Sequence, residues 1–289
     1  MNVAVVTDST AGLPTETLAS ASSRQLPLTV LGIPVLLGSA ERREGDDISS
    51  AEVAKALSLR HAPVTTSRLS PGELAETYQR LFDEGFESIV SIHLSKALSG
   101  TVEAAQVAAA DFGGRVAVVD SRGAGMGLGY PVLEAVAAAR EGASSAQVVA
   151  AAVQVIDDVT TYFYVDTLEY LRRGGRISAA AALVGTALSV KPILKVSSGG
   201  EIQVHDKVRT PVKGMKSLAE LAASQVYDAP VELTVHHLGA EERAEALVEL
   251  LHQTLGAQIK KVQITEVGAA IGAHCGPGLV GVVVYRPKS

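Results

Sequence analysis

Cysteine is nearly missing. The 289 residues contain one, Cys275, so no internal disulfide framework is available and the chain fits a reducing compartment. Tryptophan is absent and all aromatics together make up 4%, which leaves little with which to stack nucleic-acid bases. There is no basic surplus either. Twenty-five Lys and Arg stand against 31 Asp and Glu, for a net charge of −6, whereas phosphate backbones call for a concentrated basic face. No apolar run reaches the roughly 20 residues a membrane helix requires. The opening Met1-Asn2-Val3-Ala4-Val5-Val6-Thr7 has no basic n-region and no small-residue cleavage site, so it does not read as a signal peptide. These absences predict a soluble, cytoplasmic protein with no nucleic-acid partner and no integral membrane association.

What is present is an ordinary globular balance, 47% hydrophobic and 19% charged, long enough for one large domain or two modest ones. In the first half, strand and helix signals alternate. Val3–Thr7, Leu28–Leu37, Ser88–Leu94 and Val116–Val119 read as strands, with Pro34 marking an edge or a break in the second. Ser49-x-x-Glu52, Ser70-Pro71-Gly72-Glu73 and Ser144-x-x-Gln147 have capping-box form and predict a helix after each. Pro14 opens another helix, and residues 101–110 and 130–140 carry two more. Strands separated by helices predict a mainly parallel sheet covered on both faces.

The second half reads differently. A strand at Tyr162–Val165 leads to Asp166-x-x-Glu169, also of capping-box form, and a short helix stopped by Gly174-Gly175. Ile193–Val196 and Glu201–Val208 flank Ser197-Ser198-Gly199-Gly200, which predicts an antiparallel hairpin. Helices over 211–225 and 240–255 alternate with strands at 231–237, 259–265 and 279–285. The predicted organisation is a parallel α/β domain over 1–160 and an α+β domain over 161–289.

Four polar segments could carry chemistry. Ser99-Gly100-Thr101 lies between a strand and a helix start, where free N–H groups and hydroxyls make either a helix cap or an anion site. Thr65-Thr66-Ser67 offers three hydroxyls as a pocket wall or as plain turn chemistry. Arg172-Arg173-Gly174-Gly175-Arg176 puts three guanidinium groups within five residues, either complementing a helix dipole or forking a carboxylate or phosphate. His274-Cys275-Gly276-Pro277-Gly278 sets a histidine beside the lone cysteine in a glycine-rich turn, as base, ligand donor or satisfied structural residue. Several signatures are missing. Gly123–Gly129 gives no register of G-x-G-x-x-G, no phosphate-binding P-loop occurs, and no G-x-S-x-G elbow surrounds Ser99. His236 and His237, adjacent in a strand, point to opposite faces and make a poor shared metal site.

Taken in order, these segments resemble the DegV family of bacterial lipid-binding proteins. The resemblance runs through Val6–Pro14, Thr66-Ser67-Arg68-Leu69-Ser70-Pro71, Ile92–Thr101, Asp120-Ser121, Leu168–Ser178 and His274-x-Gly276-Pro277-Gly278. It implies a parallel α/β N-terminal domain and an α+β C-terminal domain, with a long-chain fatty acid buried in an apolar tunnel between them. It further implies a protein without catalytic activity or cofactor, which presents the fatty acid carboxylate to a separate fatty acid kinase for acyl-phosphate formation in phospholipid synthesis. Carried over by motif, Thr66 and Ser99 contact the carboxylate with His274 nearby, Ser67, Gly100 and Thr101 complete the ligand-binding set, and Arg173 is a neighbour. Arg209, in Lys207-Val208-Arg209-Thr210, matches an arginine of the kinase encounter. Many relatives carry Gln-Pro where this chain has Arg68-Leu69. Two other readings stand beside this one. One is a lipid-responsive regulator. The other is an acyl- or phosphoryl-transfer enzyme using Ser99 or His274, against which counts the lack of an acid placed to complete a triad.

Overall fold

A computed structural model describes residues 2–59, 63–177, 190–227 and 229–287. The chain divides into two compact units, one formed by Met1–Pro34 and Ser67–Asp157, the other by Val35–Thr66 and Asp158–Ser289. Residues 35–66, assigned from sequence to the first domain, therefore belong with the second. The cause is pairing distant in sequence: Val35 pairs with Thr66 in one sheet, while Leu28, seven residues earlier, pairs with Val5 in another.

The first unit is built on a four-stranded sheet. Strand β1 (Val3–Asp8) is buried along its whole length, as a β-branched run covered on both faces should be. It pairs in parallel with β2 (Leu28–Leu31) on one side and β6 (Ser88–His93) on the other. Strand β7 (Val116–Asp120) adds in parallel to β6, giving the order β2-β1-β6-β7. The chain moves from β1 outward to β2, then returns to the other side of β1 to lay down β6. The point of reversal thus falls between β1 and β6, and in open parallel sheets the carboxyl ends of such strands are where ligands gather. Helices α1 (Thr15–Ser22), α3 (Pro71–Asp83), α4 (Thr101–Ala109), α5 (Met126–Arg140) and α6 (Ser145–Ile156) complete this unit. Ser70 caps α3 by accepting from the Glu73 N–H, and Ser144 with Gln147 closes a full capping box on α6.

The predicted strand Leu28–Leu37 is two strands in two sheets, broken ahead of Pro34. In the second unit, β3 (Pro34–Leu37) runs antiparallel to β5 (Val64–Thr66), with β4 (Ala40–Arg43) on its other side. Helix α2 (Ser50–Leu59) follows β4, and Ser49 and Glu52 form its capping box. The larger sheet has the order β10-β9-β8-β13-β11-β12, comprising β8 (Val159–Tyr164), β9 (Lys191–Val196), β10 (Ile202–Val208), β11 (Val231–His237), β12 (Ile259–Glu266) and β13 (Val280–Tyr285). The β9–β10 pair is the antiparallel hairpin expected from sequence. Strands β11 and β12 are parallel, joined through α9 (Glu241–Leu255). Helices α7 (Glu169–Arg173), α8 (Pro211–Ala223) and α10 (Ala269–Cys275) complete the unit. The core joins Tyr162, Tyr164, Leu218, Leu233, Leu247 and Val282 on one side of this sheet, while Phe163, Leu171, Leu194 and Leu238 form a second cluster. Among the described residues, no helix is long and apolar enough to cross a membrane.

Candidate functional site

Thr66 closes β5, and His274 lies in the last turn of α10, which packs against both β5 and α2. The Thr66 hydroxyl and the His274 Nε2 are 2.7 Å apart, a hydrogen bond across 208 residues of chain. Burial holds the imidazole down to about pKa 4, with the nearby positive charge of Arg176 pushing the same way. His274 is therefore neutral at physiological pH, one nitrogen engaged by the threonine. Its Nδ1 finds no hydrogen-bond partner among the described residues. Cys275 beside it is buried, and burial pushes its thiol up to about 12. A thiolate nucleophile is excluded there.

The frame around His274 is set by glycines and by an acid. A β-carbon on Gly174 would stand 2.1 Å from His274 Nδ1, so only glycine lets the end of α7 come this close. Gly276 has φ +76°, and a β-carbon there would meet the Tyr170 ring at 2.1 Å. At the other end of α10 the N-cap position is Gly268, which has no side chain to cap the helix. The buried carboxylate of Glu44, from the loop after β4, accepts from the Ala270 N–H at 3.3 Å. Glu44 is a residue that sequence reasoning missed, because its partner lies 226 positions away.

The arginine segment splits. Arg173 is exposed and pairs with Glu169 one turn back on α7, at 3.7 Å. The chain reverses at Gly174-Gly175, with the Arg176 N–H bonded to the Leu171 carbonyl, and the Arg176 guanidinium donates to the Gly174 carbonyl. Arg176, not Arg173, is thus the arginine whose charge is felt at His274. Ser178, the last residue of the segment, lies outside the described residues. Asp166 does not cap α7 as the pattern Asp166-x-x-Glu169 predicted. It accepts from Tyr164 and pairs with Arg243 at 3.1 Å and Lys191 at 3.3 Å, while Thr167 Oγ1 accepts from the Glu169 N–H.

In the first unit, Ser99, Gly100 and Thr101 lead from β6 into α4. The α4 N-cap position is Gly100 and no side chain caps it. Ser99 Oγ and Thr101 Oγ1 instead bond each other at 3.0 Å, with Thr101 fully buried and Ser99 half-buried. The capping alternative for these hydroxyls is thereby removed, and among the described residues no side chain caps the first turn of α4. Arg68 lies against the same turn: its Cδ and Nη1 are both 3.1 Å from where a β-carbon on Gly100 would be. Ser67, exposed, begins the return of the chain into this unit, its N–H bonded to the Pro34 carbonyl. Arg209 is exposed between β10 and α8. Among the described residues no group of three or more His, Cys, Asp or Glu could hold a metal. His236 and His237 do not converge on one, since His236 Nδ1 is taken by Thr265 Oγ1 at 2.8 Å.

The fold and these segments define a known class. The DegV family profile matches residues 2–287, and the chain belongs to that family. A DegV domain-containing protein of Streptomyces coelicolor is 47% identical over 283 residues, covering 98% of each chain. Among solved structures, a fatty-acid-binding DegV family protein of Thermus thermophilus superposes with TM-score 0.90 at 32% identity, over 99% of this chain and 100% of that one. A fatty-acid-binding DegV family protein of Streptococcus agalactiae gives TM-score 0.87 at 27% identity, over 100% of both.

Proposed function

We propose that this protein binds a long-chain fatty acid in an apolar tunnel and presents its carboxylate to a separate fatty acid kinase, which forms the acyl phosphate. The observation that carries the reading is the likeness over the whole chain to the fatty-acid-binding Thermus protein, at 32% identity. The site chemistry supports it. A buried carboxylate is very costly unless hydrogen-bonded, and the half-buried Thr66 hydroxyl with the neutral His274 supplies donors without a permanent opposing charge. The Ser99–Thr101 hydroxyls at the uncapped start of α4 are a second donor set of the same kind. The acyl chain supplies the affinity, at about 0.8 kcal/mol per buried methylene.

A non-catalytic role is supported by the partners of His274. Its bonded neighbour is a threonine, the charge that acts on it is a guanidinium, and among the described residues no carboxylate bonds its other nitrogen to orient it as a general base. Exposed Arg209, with no ion pair among the described residues, is the contact we assign to the kinase.

The test is to purify the protein from cells, extract it with organic solvent and identify the released molecule by mass spectrometry. One equivalent of fatty acid is expected. A protein that releases none and also takes up neither oleate nor palmitate rules the reading out. Arg209→Ala is expected to keep fatty-acid binding and lose kinase-dependent phosphorylation, and equal loss of both would place Arg209 at the ligand instead.

A further inference from the structure

Asp8 ends β1 and His93 ends β6, the two strands that flank the reversal point of the first sheet. Both side chains are fully buried, and His93 Nδ1 lies 2.9 Å from Asp8 Oδ2. The chain of contacts continues inward. His93 Nε2 meets Ser91 Oγ at 2.8 Å, and the Tyr78 hydroxyl donates to the same Ser91 oxygen at 2.8 Å. Ser91 and Tyr78 are both 0% exposed. Tyr78 donates to Ser91, and with the proton on Nδ1 His93 donates to Asp8 and leaves Nε2 to meet the Ser91 hydroxyl. Asp8 also accepts from the Leu94 N–H at 3.2 Å, the Thr10 N–H at 3.1 Å and the Thr10 hydroxyl. Four donors thus satisfy one buried carboxylate, which a lone buried charge would require.

The order aspartate–histidine–serine is that of a nucleophile relay, but Ser91 Oγ has no access to substrate and already accepts from Tyr78. Its position suggests another job. Asp8 joins the two segments that leave the carboxyl edge of the sheet, Ser9–Ala11 after β1 and the loop from Leu94 to Gly100 after β6. That second loop is held further by the Ser95 N–H to the Gly123 carbonyl and by the Leu98 and Ser99 N–H groups to the Ser95 carbonyl. It ends on Ser99, Gly100 and Thr101.

We propose that Tyr78, Ser91, His93 and Asp8 are positioning residues, a buried relay that fixes the β6–α4 loop and thereby the Ser99 and Thr101 hydroxyls for an anionic head group. The proposal rests on the reading of that loop as a fatty-acid contact, and it makes the geometry of a half-exposed turn depend on a phenol buried behind the strand. Sites held by a locked supporting shell keep their geometry, and those whose supports are removed loosen.

The experiment compares His93→Ala, Tyr78→Phe and His93→Gln with Val90→Ala. Val90 is equally buried in β6 but alternates to the opposite face from Ser91 and His93, so its loss weakens the unit without touching the relay. Two readouts are taken: hydrogen exchange at the Leu98 and Ser99 amides, and oleate affinity. The expected result for His93→Ala is exchange and oleate dissociation each raised roughly tenfold above the Val90→Ala control, the scale seen when a supporting partner is deleted. His93→Gln, which keeps a donor, should recover part of both. If His93→Ala does not fold, Tyr78→Phe carries the test, because it removes one hydroxyl and leaves the ring in place. Exchange at Leu98 and Ser99 no faster than in the control overturns the positioning role. Wild-type protein that takes up no oleate sinks the fatty-acid reading instead, and the exchange readout still decides the relay.

Discussion

The imidazole of His274 rests against the α-carbon of Gly174, leaving 2.1 Å between Nδ1 and the place of a β-carbon. One methyl group at position 174 therefore has nowhere to go except by moving the ring. Gly174→Ala is expected to break the 2.7 Å contact between His274 and Thr66 and to destabilise the protein by about 1–3 kcal/mol, the usual cost of overpacking a tight site. Urea unfolding and the histidine side-chain NMR signals check this. An unchanged midpoint together with an unchanged His274 environment would show that the turn gives way more easily than its packing indicates.

Two histidines tie stability to pH. Burial holds both His274 and His236 down to about pKa 4 in the folded state, against the ordinary histidine value of 6.5. The unfolded chain binds more protons than the folded one between those values, so stability is full above pH 6.5 and is lost as the pH falls toward 4. Each group can contribute up to about 3 kcal/mol, at ~1.4 kcal/mol per unit. Denaturation midpoints measured from pH 7.5 to pH 4 should fall through this window. His274→Gln should shallow the slope, and an equal slope in that variant would refute the assignment.

Removing single hydroxyls separates the two donor sets. Thr66→Val keeps the shape of the side chain and leaves His274 Nε2 without its partner. Ser99→Ala leaves the buried Thr101 hydroxyl without its neighbour. Each is expected to weaken oleate binding about tenfold, equivalent to ~1.4 kcal/mol, with the fold intact by circular dichroism. Titration calorimetry of both variants decides which set holds the carboxylate, and normal binding by both would remove the head-group assignment.

Arg68 gives a prediction with two signs. Its guanidinium packs on Gly100 at the start of α4, where a helix disfavours positive charge. Arg68→Gln should therefore leave the ligand-free protein slightly more stable, by ~0.3 kcal/mol after screening, while lowering its affinity for an anionic ligand. Melting temperature and oleate affinity moving in the same direction would argue against an electrostatic role.

What could be read in the sequence was what is local. Ser49 with Glu52, Ser70 with Glu73, and Ser144 with Gln147 pair across three residues, and the helix starts predicted from them are where the structure has them. Asp166-x-x-Glu169 has the same form and failed, because Arg243, 77 residues on, offers Asp166 a stronger partner than a helix end. The strand Leu28–Leu37 was read as one element since nothing in its own residues reveals that Val5 claims one end and Thr66 the other. The meeting of Thr66 with His274 was equally invisible to propensity or spacing. Family resemblance suggests that pair, and names Arg173 as its neighbour; that Arg176 of the same segment is the arginine beside His274 follows only from the glycine turn that folds the chain back.

The excursion of residues 35–66 out of the first unit has a consequence during synthesis. That segment leaves the ribosome about 90 residues ahead of the first residue of the part of its own unit that carries the six-stranded sheet. At about 5–20 residues per second it waits roughly 5–20 s for its partners to begin emerging. The first unit can close once Asp157 has emerged, just as that wait ends, holding the segment as a loop pinned at Pro34 and Ser67. The nascent chain thus acquires a tether before it acquires the fold that uses it. Thr66, at the end of that tether, is among the earliest residues of the candidate site to be made and among the last to find its place.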